Sequence, residues 1–135
     1  MSGAPRFLVG LAFGLASLAG PVAVAQEPQR PQYLPYAEFA SDDTASHLAA
    51  KQAYNDAVEG YNRALYEYHV TLGQHDQLVE LHNRAGTPAQ QEKARADAAP
   101  LRAKLQTLRR DVTTLAAAVD QARRRAAQEG VTLTR

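Results

Sequence analysis

The chain of 135 residues has no cysteine, no tryptophan and a single methionine, Met1. Without cysteine there are no disulfides, no thiolate metal centres and no thiol redox chemistry, and no residue on which a lipoprotein signal could be lipidated. Beyond Met1 there is also no thioether, so the axial pairs of small exported haem bundles, Met with His or a Cys-x-x-Cys-His, cannot form. Serine is scarce too. After the first 25 residues only Ser41 and Ser46 remain. No glycine-rich phosphate loop occurs, and nothing gathers a nucleophile, a base and an oxyanion site. The composition therefore predicts a protein that is not an enzyme and needs no cofactor.

An excess of either charge is also missing. Lys and Arg number 15 against 14 Asp and Glu, which disfavours a nucleic-acid partner, since such proteins carry a marked basic excess. The balance is uneven along the chain. Residues 26–85 hold 4 basic and 9 acidic side chains, and residues 86–135 hold 10 basic and 5 acidic. The two halves are electrostatic complements, and each is expected to partner the other.

The one long apolar run lies at the start. Arg6 is followed by uncharged residues from Phe7 to Ala25, closing on Ala23-Val24-Ala25 before Gln26. A charged beginning, a short apolar stretch and a small-x-small ending make residues 1–25 a signal peptide, with the mature chain in the periplasm or secreted. Gly10, Gly14, Gly20 and Pro21 interrupt the run. An uncleaved anchor needs about 20 apolar residues, so contact with the membrane is expected only if the signal is retained. Removal of Arg6 leaves the mature chain with 14 charges of each sign.

Residues 26–40 contain Pro28, Pro31 and Pro35 interleaved with Tyr33, Leu34, Tyr36 and Phe39. They show no helical period and read as an extended, polyproline-like leader acting as a spacer. Docking of its aromatics on the hairpin or on a partner is the competing reading.

From residue 41 the chain changes character, and a helical hairpin over 41–130 is expected. Ser41 is placed as N-cap, with Asp42 and Asp43 in a first turn where free N–H groups favour negative charge. Apolar and aromatic residues then recur by alternate steps of four and three: Tyr54, Val58, Tyr61, Leu65, Tyr68, Leu72. His47, His75, Val79 and His82 fall on the same series. These are heptad a and d positions, and they define a helix over about 42–85. In Ala85-Gly86-Thr87-Pro88, Gly86 suits a left-handed stop, Thr87 an N-cap with Gln90 completing a capping box, and Pro88 the first helical position. A second helix over about 88–129 repeats the stepping through Ala94, Ala98, Leu101, Leu105, Leu108, Val112, Leu115 and Val119, and ends at Gly130, leaving a tail of 131–135. Pro100 predicts a bend, because it lacks an N–H.

Folding the chain about Gly86 and Thr87 brings the two series together. Leu72 meets Leu101, Tyr68 meets Leu105, Leu65 meets Leu108, Tyr61 meets Val112, Val58 meets Leu115 and Tyr54 meets Val119. The expected fold is all-α, a long antiparallel two-helix coiled coil. Beside the seam of the first helix runs a row of small residues, Ala50, Ala57 and Ala64, with Leu78 further on. This row widens the apolar face and marks the candidate surface for a homodimer.

Histidine is confined to the first helix, at 47, 69, 75 and 82. A helical metal pair needs a spacing of three or four. His75 and His82 are seven apart, so no metal site is predicted within one chain. Arg109-Arg110 and Arg123-Arg124-Arg125 read as solvated faces opposite the acidic helix. The sum points to an exported structural or adaptor module for protein partners. A periplasmic stress chaperone is the alternative, and histidine-mediated metal sensing across a dimer is a remote third.

Overall fold

The computed structural model describes residues 32–133. The expected signal peptide, residues 26–31 of the leader and residues 134–135 lie outside that range. Two helices make up the described part, α1 (Ala45–Arg84, 40 residues) and α2 (Pro88–Gln128, 41 residues), and they pack on each other as an antiparallel hairpin. At 1.5 Å per residue each is about 60 Å long.

Helix α1 begins later than its sequence signals imply. The N-cap is Thr44, whose hydroxyl accepts a hydrogen bond from the His47 amide at 3.2 Å. Ser41 is not the cap, and no acidic residue occupies the first turn. The reason lies in Asp43. Its carboxylate accepts from the Ala40 amide at 2.7 Å and from Lys51 Nζ at 2.7 and 2.8 Å, and the Asp43 amide bonds back to the Ala40 carbonyl at 3.2 Å. These bonds hold residues 40–43 in a turn, so the helix starts after them.

The reversal between the helices also differs from expectation. Gly130 is the only glycine with positive φ among the described residues, so Gly86 is not left-handed. Ala85 turns extended instead (φ −62°, ψ 131°) with its amide on the His82 carbonyl, and Thr87 is extended at φ −130°, ψ 148°. The residue before a proline is pushed out of the helical region, so Pro88 dictates the Thr87 conformation. The Thr87 hydroxyl caps α2 by accepting from the Gln90 amide at 3.3 Å, with Pro88 in the first turn. Helix α2 runs unbroken through Pro100. It ends in a Schellman motif: Gly130 takes φ 77°, its amide bonds the Ala127 carbonyl, and the Val131 amide bonds the Ala126 carbonyl at 2.9 Å. Val131 and Ala126, which this motif brings into contact, are both buried.

The core is not spread evenly along the rod. Tyr54, Val58, Tyr61, Leu65 and Val119 form one buried cluster in the half nearer the chain ends. Tyr68, Val112, Leu115, Leu34 and Ala37 of the leader, and Leu133 beyond α2, pack against it. The tip half buries only Thr71, Ala94, Ala98 and Leu105. There the seam rolls sideways: Thr71 is 1% exposed, Leu72 is half-buried, and Val79, at a heptad a position, is 40% exposed. Small Ala94 and Ala98 let α2 ride toward the flank where Thr71 offers less bulk than Leu72.

The complementary charge of the two halves does not appear as ion pairs between helices among the described residues. Glu59 with Arg63, Glu80 with Arg84, Lys93 with Asp97, and Asp120 with Arg123 are all pairs within one helix. Such exposed pairs contribute about 0.3–0.5 kcal/mol each. What crosses the seam instead is arginine over tyrosine. Arg109 lies 6.0 Å from the Tyr68 ring centre and donates to its hydroxyl at 3.4 Å, and Arg123 lies 6.0 Å from the Tyr54 ring. The tyrosines at d positions supply faces where carboxylates were expected.

Gly73 lies inside α1, and a Cβ there would meet nothing within 4 Å. Glycine in an exposed helix interior costs about 0.5–1 kcal/mol relative to alanine. Gly73→Ala is therefore expected to raise the unfolding free energy by about that amount in urea denaturation; a loss of stability would show that the site is strained.

Candidate functional site

Two regions of the rod do something other than close the hairpin. The first is the leader, which sequence reading treats as a spacer. Residues 32–40 form neither helix nor strand, yet they are fastened along α1. The Leu34 amide donates to Asn62 Oδ1 at 2.8 Å, and Asn62 Nδ2 donates to the Leu34 carbonyl at 2.9 Å. Asn55 treats Ala37 the same way, at 2.7 and 3.1 Å. Each amide side chain thus satisfies both polar groups of one backbone residue, as a neighbouring β-strand would.

The spacing explains why the arrangement works. Asn55 and Asn62 are seven residues apart, about 10.5 Å along the helix. Leu34 and Ala37 are three apart, which spans that distance only when the chain is nearly fully extended. Pro35 between them favours such a backbone. Leu34 and Ala37 pack against the core, while Tyr33, Tyr36 and Phe39 are 52–54% exposed. Tyr33 also meets the next residue in the heptad row, His69, with ring centres 6.2 Å apart and planes at 62°. The Asp43–Lys51 pair and the Ala40 amide secure the other end.

Asn55, Asn62 and His69 occupy heptad e positions, and Ala50, Ala57, Ala64 and Leu78 occupy g positions on the opposite flank. Those g residues do not form a face independent of the hairpin. All four are half-buried, and Ala57 packs against the hairpin's own core. Ala50 and Ala57 line a groove of about 400 Å³ whose other wall is Ala118 and Ala122 of α2. A charge at Ala57 would therefore strain the hairpin as well as any dimer built on it.

The second region is the tip. Two open clefts flank the seam there and meet at Leu78 and Ala94, which line both. One, of about 440 Å³, also takes in Leu81 and Ala85; its charged rim is internally neutralised, because Lys93 is bonded to Asp97 at 2.7 Å and Arg84 is paired with Glu80. The hydrogen bond to Asp97 holds the Lys93 ammonium above its usual pKa. The other, of about 520 Å³, is bordered by His75, His82, Arg95 and Arg102 over Val79 and Ala98. No acidic residue lines it. His75 and His82 lie beside Asp76 and Asn83 at 3.5 and 3.4 Å. Among the described residues no group of three or more His, Asp and Glu is gathered as metal ligands would be, and no helix is long and apolar enough to cross a membrane.

Sequence reading missed the clamps, although their signal was present: two asparagines one heptad apart beside the seam, and a leader whose aliphatic and aromatic residues repeat every three. Compared with known proteins, the chain matches no family model, no curated protein and no solved structure.

Replacing Asn55 and Asn62 with alanine removes two hydrogen bonds each, and a loss of about 1–2 kcal/mol per site is expected. Hydrogen exchange at the Leu34 and Ala37 amides should then approach the free-chain rate, whereas Asn62→Asp, which still accepts but no longer donates, should give an intermediate rate at Leu34. Unchanged protection in the double alanine variant would mean that apolar contact alone holds the leader. The junction should respond to acid. The Lys51 ammonium and the Ala40 amide beside Asp43 lower its carboxyl pKa from the ordinary 3.8. A lowered folded-state pKa favours the folded junction above the ordinary value, and the contribution fades as pH falls below it. The Ala40 amide resonance should move toward its unfolded position on acidification, and Asp43→Asn should abolish that titration.

Proposed function

We propose that this protein is a non-catalytic adaptor of the bacterial envelope, exported by its N-terminal signal and binding a protein partner through the tip of its helical hairpin. The observation that carries this reading is the unequal closure of the rod. At the base, the leader and the residues after α2 pack against the Tyr54–Val58–Tyr61–Leu65–Val119 cluster. At the tip, Val79 and Leu81 are 40% and 60% exposed around clefts floored by alanine. Exposed apolar surface of this kind marks interaction sites in stable proteins. A long rod whose packed core lies at the base and whose tip keeps Val79 and Leu81 in solvent suits a protein that engages a partner through its tip.

The stress-chaperone reading draws support from a different feature, the outward row of Tyr33, Tyr36 and Phe39 together with Tyr66. The two separate by stoichiometry, since an adaptor takes one partner at one place and a chaperone takes many.

Export is checked by the intact mass of the protein from the periplasmic fraction, which should begin at Gln26; a form that keeps Met1 in the membrane fraction contradicts it. Docking is checked with a photo-crosslinking residue at position 81 or, as a control at the base, at position 124. A single discrete adduct from position 81, absent from position 124 and lost when Val79→Glu is added, is the expected result. A smear of many adducts would favour the chaperone, and equal adducts from both positions would remove the tip from the reading.

A further inference from the structure

The two tip clefts differ in charge, and the difference says what the partner presents. Around the first cleft, Lys93 and Arg84 are answered by Asp97 and Glu80 within their own helices. Around the second, Arg102 has no ion-pair partner among the described residues, and Arg95 reaches Glu92 only at 3.8 Å. His75 and His82 complete a rim whose lining holds no carboxylate, with Asp76 just outside it at 3.5 Å from His75. On a mature chain whose charges balance, a cleft bordered only by basic-capable side chains is complementary to an acidic occupant.

The backbone of that occupant is constrained too. At the base, α1 receives an extended segment because Asn55 and Asn62 each offer a donor and an acceptor to one backbone residue. The tip cleft has no equivalent. Arginine donates and cannot accept, and a neutral imidazole offers one acceptor. An extended segment lying there would find at most the two imidazole acceptors for its N–H groups, so the cleft gives its backbone no register. A helix satisfies its own backbone. Ala94 and Ala98 permit its close approach, and the stretch from His75 to His82 covers two helical turns, the length over which an i, i+3, i+7 apolar face is read.

The geometry points to the His75–His82–Arg95–Arg102 cleft as a docking site for one amphipathic helix of a partner polypeptide, its apolar residues on Leu78 and Val79 and its flanking Asp or Glu residues on Arg95 and Arg102. This rests on the tip-docking reading above and names the class of partner.

The test uses the full mature chain and a labelled synthetic helix with leucines at i, i+3, i+4 and i+7 flanked by glutamate, compared with the same peptide flanked by lysine. Fluorescence anisotropy should show the glutamate peptide binding about ten-fold tighter, the effect of two modest charge contacts together. Arg95→Glu with Arg102→Glu should reverse that preference, Arg124→Glu with Arg125→Glu at the base should not, and circular dichroism should confirm equal helicity in all variants. Equal binding of both peptides overturns the proposal. So does a cleft that responds only to vesicles of anionic phospholipid, or one whose His75 and His82 resonances change when residues 26–31 are deleted, since the chain's own upstream segment would then be the occupant. If the adduct from position 81 survives the Arg95→Glu, Arg102→Glu exchange but not Val79→Glu, tip docking stands and the acidic helix fails. If no tip-specific adduct forms, the docking reading itself fails.

Discussion

A two-helix rod has one seam and little interior, and the feature on which this structure depends is the bonding of an extended segment to one flank of that seam by two asparagines. A chain laid along a helix exposes N–H and C=O groups that must be satisfied, and a helix offers none of its own backbone groups for the purpose. Asn55 and Asn62 supply the missing partners, one side chain for each third residue of the leader. The match of seven helical residues to three extended ones is what allows a regular heptad protein to carry a third chain segment in register.

That clamp changes the energetics of the base. Leu34 and Ala37 cover the e flank of the core, and Val131 and Leu133, turned back by the Schellman motif at Gly130, add to its other end. Small cores gain stability mainly by adding buried apolar area, and here the additions come from both chain termini. They are concentrated at one end. Among the described residues the tip receives no such cover, and its alanines leave clefts where larger residues would have met. The same rod therefore packs its core at the base and leaves Val79 and Leu81 accessible at its tip, which is the asymmetry that supports an interaction role.

Electrostatics orders the surface more than it holds the helices together. Acidic and basic residues answer each other along each helix, while the contacts across the seam are Arg109 and Arg123 over tyrosine rings. A guanidinium over an aromatic face keeps much of its hydration and adds about 0.5–1 kcal/mol at exposed sites. The basic rim stands out because Arg102 has no ion-pair partner among the described residues and Arg95 reaches Glu92 only at 3.8 Å.

What the sequence determined by itself was whatever short-range periodicity encodes. Repeats of three and four over forty residues, twice, with Thr87-Pro88 between them, specify two helices joined by a tight reversal, because helical faces and caps depend on neighbours within four positions. What tertiary structure decided involved partners far apart in the chain. Asn62 and Leu34 are 28 residues apart and Asn55 and Ala37 are 18 apart, so each segment carries its own pattern but neither encodes the pairing, and the leader looked like a spacer. The start of α1 moved from Ser41 to Thr44 because Asp43 was taken by Lys51, eight residues on. Gly86 stayed out of the left-handed region because Pro88 and the geometry of reversal set the loop. The seam rolled from Val79 toward Thr71 and Leu78 because the size of Ala94 and Ala98, on the facing helix, settled how close α2 could come.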